Sequence, residues 1–242
     1  MAEIHATQLF EFKNTFIENL HTLPDGSILL TTFGSGDLWA LNPDASPATI
    51  RKVATLDGST GLSGIASLGN GLYAVSGGEH SLFKFTKGSM KVYVVSVAGE
   101  GQEGEVIDSI PVADTNMMNG MASLPSRPYV VFSADSIGGR ILQIDTRARK
   151  VSVALEDAAL GPGSDAVVPL GVNGLRIEGN YVYFTNSAQG TFGRFPIDNN
   201  GKNTGSVEII SRLDKPASIT YSGPKKKTSN TIFTPKLINF DH

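Results

Sequence analysis

One local pattern recurs along this chain: a small or polar residue, then Asn or Gly, then an aliphatic residue, a turn, a β-rich run, a loop and a second β-rich run. Full copies begin at Glu18-Asn19-Leu20, Ser63-Gly64-Ile65, Asn119-Gly120-Met121 and Asn173-Gly174-Leu175, and a shorter fifth begins at Ala217-Ser218-Ile219. A repeat of roughly 44 to 56 residues with two to four β runs is the unit of a four-stranded propeller blade. Such a unit buries its apolar faces only against its neighbours, so the copies must form a ring. The expected fold is all-β, a β-propeller of about five four-stranded blades, in one domain over residues 1–242.

Composition narrows the function classes. With 242 residues and 40% apolar content the chain is long enough for a sizeable core. Its 20 basic and 23 acidic residues leave a formal charge of −3, so no basic field invites a nucleic-acid backbone. There is no cysteine, which removes disulfides, thiolate metal sites and a Cys nucleophile. The first residues, Met1 to Gln8, carry neither a positive segment nor an apolar stretch, and no run reaches the roughly 18 apolar residues of a membrane span. The expectation is a cytoplasmic protein with no membrane and no nucleic-acid partner, acting on a small molecule. Lys225-Lys226-Lys227 reads as a solvated loop.

The first copy reads as four strands: Phe16 to Leu23, Ser27 to Phe33, Asp37 to Leu41 and Ile50 to Leu56. Pro24-Asp25-Gly26 turns the chain between the first two, since Pro fixes φ and Gly accepts positive φ. Later second strands fall at Leu72 to Ser76, Tyr129 to Ser133 and Tyr181 to Asn186. Third strands fall at Ser81 to Phe85, Arg140 to Asp145 and Phe192 to Ile197, and fourth strands at Val92 to Val97, Val151 to Leu155 and Val207 to Ser211. Ala98 to Met117 and Glu156 to Gly171 read as long connections between blades. In up-and-down order the start of each first strand shares a rim with the end of each second strand. That rim gathers Glu18, Ser63, Asn119 and Asn173. Polar groups on an inner strand have two readings: they satisfy backbone and water in a central channel, or they form an oxygen-rich site for a ligand or cation.

Phe16-Ile-Glu-Asn-Leu-His-Thr-Leu-Pro-Asp-Gly, Met118-Asn-Gly-Met and Val172-Asn-Gly-Leu resemble the senescence-marker/gluconolactonase-like six-bladed propellers, particularly their fungal branch, over roughly residues 8 to 212. The resemblance implies a funnel-shaped axial pocket. In hydrolases of that family a divalent cation is held by a Glu, an Asn and an Asp. Matched repeat by repeat, Glu18 takes the place of the Glu, Asn173 that of the metal-binding Asn and Asn119 that of a substrate-side Asn. The next repeat opens with Lys215-Pro216-Ala217-Ser218-Ile219, without the Asp that would be both ligand and base. One carboxylate and two amides make a poor site for Ca²⁺, Mg²⁺ or Zn²⁺.

Some fungal members of the family act as hetero-Diels–Alderases of secondary metabolism, chemistry that needs an apolar pocket and a few donors but neither metal nor nucleophile. The resemblance therefore implies a metal-independent cyclase with no cofactor. Its catalytic candidates are Glu18, Asn119 and Asn173, and its substrate contacts are Ser63, His80, Asp135 and Asn186. A metal-dependent lactonase using Glu18 and Asn173, and a non-catalytic propeller, are the alternatives. Turn chemistry alone also accounts for Asp37, Asp135 and Asn186 at second-strand ends. His21, three residues after Glu18 in an extended run, is expected on the opposite face, packed between blades.

Overall fold

The computed structural model describes residues 8–13, 15–81, 84–97, 103–164, 166 and 169–212. Eighteen strands and no helix occur among them. The first blade is β1 (Phe16–Thr22), β2 (Ile28–Phe33), β3 (Asp37–Asn42) and β4 (Thr49–Thr55). The second begins with β5 (Gly61–Gly69) and β6 (Leu72–Gly78), is interrupted by the short pair β7 (His80–Ser81) and β8 (Lys84–Phe85), and ends with β9 (Lys91–Ser96) and β10 (Glu105–Pro111). The third is β11 (Met118–Leu124), β12 (Arg127–Asp135), β13 (Arg140–Asp145) and β14 (Lys150–Glu156). The fourth is β15 (Val172–Glu178), β16 (Tyr181–Asn186), β17 (Thr191–Pro196) and β18 (Glu208–Arg212).

Every pairing is antiparallel, and each blade runs in order from its inner to its outer strand. The chain is an all-β propeller of four-stranded blades. The fifth copy, which begins at Ala217-Ser218-Ile219, lies outside the described residues.

Two strand assignments in the second blade are corrected by the structure. Its third strand is β9, not Ser81 to Phe85, and its fourth is β10, inside the segment read as a connection. The sequence EVIDSIP hides β10, because an outermost strand exposes one face and needs no apolar run; the first three of its residues are solvent-exposed. Charges there also discourage edge pairing with other chains. The β7–β8 pair is an insertion at the rim, which lengthens this repeat.

Apolar layers hold the blades face to face. Leu29, Leu38, Val53, Leu62, Val75 and Val95 fill the layer between the first and second blades. Ala74, Val92, Ile110, Met118, Val131 and Leu142 fill the next. Phe132, Ile141, Val172, Phe184 and Phe195 fill the third. Burying such a side chain contributes about 1.5–3 kcal/mol, so these layers fix how the inner strands stand around the axis.

Candidate active site

The four full copies of the tripeptide sit at the same place: a β-bulge in the inner strand of the blade. In β1 the register slips between Ile17 and Asn19, in β5 between Leu62 and Ile65, in β11 between Met118 and Met121, and in β15 between Val172 and Leu175. A bulge sets two residues opposite one, bends the strand and re-aims its side chains. Hydroxyls on the second strands capture the amides this frees: Asn19 N donates to Thr31 Oγ1 (3.1 Å), Gly64 N to Ser76 Oγ (2.8 Å) and Gly174 N to Thr185 Oγ1 (3.0 Å).

The glycines of the pattern answer a second demand. A Cβ on Gly64 would lie 2.3 Å from Asn119 O, and one on Gly120 would lie 2.4 Å from Asn173 O. Each bulge thus presses against the backbone of the next blade. Further hydroxyls tie the ring together: Thr31 Oγ1 donates to Ser63 O (2.7 Å), Ser63 Oγ to Met118 O (2.7 Å) and Ser136 Oγ to Val172 O (2.5 Å).

Glu18 in the first blade and Asn119 in the third lie on the inner strands, and the Asn119 side chain favours the charged form of the Glu18 carboxyl. Although Glu18 keeps some exposure as a residue, its Oε2 is buried and has no hydrogen-bond partner. Burial pushes its pKa from 4.5 up to about 7, and the Asn119 amide opposes this only in part. The carboxyl is therefore poised to hold or release a proton near neutral pH. Asn173 donates from Nδ2 to Ser187 Oγ at 2.8 Å, while its backbone carbonyl abuts Gly120. The three catalytic candidates thus sit at the bulges of three inner strands.

Three of the expected substrate contacts are committed elsewhere. Ser63 is fully buried, its hydroxyl shared with Ser76 Oγ and Met118 O. Asp135, also fully buried, accepts from Arg140 Nε at 2.9 Å and from Gly138 N at 3.0 Å. Asn186 spends its amide on Ala159 O and Gly161 O and its carbonyl on Gln189 N, which fastens the connection into the fourth blade. These side chains hydrogen-bond within the rim.

His80 stands at the rim between Phe33 and Phe85, with ring centroids 5.0 Å from each. Gly61 makes room for it, since a Cβ there would meet His80 Cδ2 at 2.5 Å. Both ring nitrogens are buried without a well-formed hydrogen bond. Burial drives the imidazole down to about 4, with the Gly61 backbone opposing, so it is neutral at physiological pH. His80 thus presents a neutral ring packed between two aromatic side chains.

His21 lies edge-on to Tyr73 of the second blade at 5.4 Å, as expected of a residue packed between blades. It also borders a cavity of about 290 Å³ lined by the inner strands β1, β5, β11 and β15 and by Tyr183, Phe184, Thr185 and Phe192 of β16 and β17. The sequence reading missed this cavity because the bulge at Glu18 breaks the simple alternation on which it relied.

Among the described residues no group of three His, Cys, Asp or Glu stands together to hold a metal ion. Of the residues that the resemblance set at a cation site, the described set supplies one carboxyl, Glu18, and two amides, Asn119 and Asn173. That set does not fit a hard divalent ion. Lys215 to Ile219, where the family places its Asp, lie outside the described residues.

No protein-family model matches the chain, and no curated protein matches it in sequence. Solved structures do match in fold. A chain of a nidogen/laminin complex superposes with a TM-score of 0.54 at 12% identity, covering 78% of this chain and 64% of that one. The computationally designed Ika8 protein gives 0.51 at 9% identity, covering 85% and 52%. A catalytically inactive virginiamycin B lyase from Staphylococcus aureus, solved with quinupristin, gives 0.50 at 17% identity, covering 84% and 58%. The chain spans between about half and two thirds of the length of these structures. At such identities the likeness is one of fold: an all-β propeller.

Proposed function

We propose that this chain is a small-molecule-transforming propeller enzyme in which Glu18, held by Asn119, serves as a metal-independent acid at the axis. The finer reading is a cyclase of the hetero-Diels–Alder kind in secondary metabolism, working without a cofactor. The observation that carries it is the Glu18 carboxyl itself: on an inner strand, with Oε2 buried and unpartnered, and with its pKa raised by burial to about 7. A buried polar atom without a partner calls for an explanation, and a substrate oxygen supplies one. A carboxylic acid kept protonated by its surroundings is a strong hydrogen-bond donor in a dry site.

In such a reaction a heterodiene, C=C–C=O, joins an alkene. One C–C and one C–O single bond form, the remaining double bond shifts, and no atom or electron leaves. The Glu18 O–H donates to the heterodiene oxygen and draws electron density from the diene. It stays on Glu18 as that oxygen becomes an ether. The amide of Asn119 fixes the carboxyl's orientation. Removing one preorganised donor of this kind typically costs about 10²–10³ in rate.

The test is to incubate the purified protein, with EDTA, with an ortho-quinone methide precursor and a panel of alkenes, and to follow the dihydropyran product by chiral chromatography. An enantiomeric excess in the wild type that Glu18→Gln abolishes supports the reading. A racemic product throughout, together with lactone hydrolysis that appears only on adding Ca²⁺, Mg²⁺ or Zn²⁺, overturns it in favour of a metal-dependent lactonase.

A further inference from the structure

The cavity beside His21 is walled by all four inner strands and by the next two strands of the fourth blade. Leu20, Ile65, Met121 and Leu175 give it aliphatic surface. Tyr183, Phe184 and Phe192 give it aromatic surface, with the Tyr183 and Phe192 rings stacked at 5.9 Å. Glu18 does not line it.

Its wall holds no charge in search of a counter-ion. Arg176 is the one permanently charged side chain there among the described residues, and it already has a partner within the protein. His21 is held below its ordinary pKa first by burial and then by the charge of Arg176, and no hydrogen bond to its ring opposes them among the described residues. A neutral imidazole offers one nitrogen as acceptor and one N–H as donor. The hydroxyls are partly engaged: Tyr183 Oη accepts from Arg194 Nη1 at 3.4 Å and Ser67 Oγ from Gly69 N at 3.3 Å, and each keeps its own proton to donate. Ser123 Oγ donates to Ser67 O, and Thr185 Oγ1 accepts from Gly174 N at 3.0 Å.

From this wall we propose a second ligand site, separate from Glu18, that takes a small neutral phenol. Its hydroxyl donates to the acceptor nitrogen of His21 and accepts the Ser67 proton. Its ring lies among Met121, Leu175, Tyr183 and Phe192, where thioether and aromatic contacts favour a flat, polarisable group. An anion entering this wall would lose its water without meeting an unpaired positive charge, and a cation would meet no carboxylate, so a neutral ligand is selected. About 290 Å³ is at the lower end for small-molecule sites and suits a molecule of one or two rings.

The experiment is calorimetric titration of the full chain at neutral pH with para-cresol, and separately with para-methylanisole and para-toluate, with the His21 ring signals followed by NMR. The expected result is saturable para-cresol binding that moves the His21 signals. It should weaken about tenfold for para-methylanisole, which has no proton to donate, and about tenfold for para-cresol in His21→Phe, which keeps the packing on Tyr73 but has no acceptor. His21→Gln, which keeps an acceptor, should recover part of the loss. Failure of para-cresol to saturate, tighter binding of para-toluate, equal affinity for para-methylanisole, or equal para-cresol affinity in a folded His21→Phe would each overturn the proposal. If His21→Phe does not fold, the comparison of the three ligands on the wild type decides it. Because none of these readouts involves Glu18, the result leaves the cyclase reading to its own test.

Discussion

Replacing Glu18 by Gln should make the protein more stable, and increasingly so as the pH rises. The carboxyl's native pKa of about 7 lies above its ordinary 4.5, so the folded state holds a proton that the unfolded state has already released. Stability is therefore lost as pH climbs through that window and the loss is complete above it. From the two values, the penalty is about 0.8 kcal/mol at pH 5 and about 3 kcal/mol at pH 8.5. Gln keeps the shape and the acceptor facing Asn119 but has no charge to bury. Its amide leaves a donor without a partner, as the protonated acid does, so that contribution cancels at low pH.

The assay is urea or thermal unfolding of both proteins at several pH values. At about 2–4 °C per kcal/mol for a domain of this size, the variant should melt roughly 6–12 °C higher at pH 8.5 and only slightly higher at pH 5. Comparing the two proteins at each pH removes every other titrating group, His80 included. A difference that does not change with pH, or a variant less stable at pH 8.5, would refute the claim that the native carboxyl is destabilised by burial.

His80→Phe should also stabilise, with the opposite pH dependence. A histidine depressed to about 4 contributes stability that is lost as pH falls from 6.5 towards 4. The phenyl ring keeps the contacts with Phe33 and Phe85 and removes two unpartnered nitrogens, so its advantage should be larger at pH 5 than at pH 8 in the same melts. Gly120→Ala should destabilise by about 3 kcal/mol or more, because the new methyl would sit 2.4 Å from Asn173 O and 2.7 Å from Leu175 N, backbone atoms that cannot step aside. An unchanged urea midpoint would show that the inner strands are not packed as tightly as described.

Much of the fold is legible in the tripeptides. Asn or Gly at their second position marks where an inner strand bulges and meets the next blade, and four such marks define four blades. Alternating runs bounded by turns located most strands. The method failed at β10, where an exposed outer strand carries no apolar signal, and at β7–β8, where an apolar stretch belongs to a rim insertion. It was also silent on Thr31, Ser76 and Thr185. Their shared column of hydroxyls was visible, but its purpose appears only once the bulge amides are seen to need acceptors.

For the site, the sequence by itself determined which polar groups lie on the inner strands, because strand order and repeat position set them at one level around the axis. It could not decide what each does, since that depends on which side chains meet across the ring. Only the tertiary structure buried one Glu18 carboxyl oxygen without a partner, spent Ser63, Asp135 and Asn186 on the framework, and placed His21 beside a cavity that Arg176 also lines. A pKa or a free hydrogen-bonding atom belongs to no residue alone. Burial and partners arriving from distant blades create both.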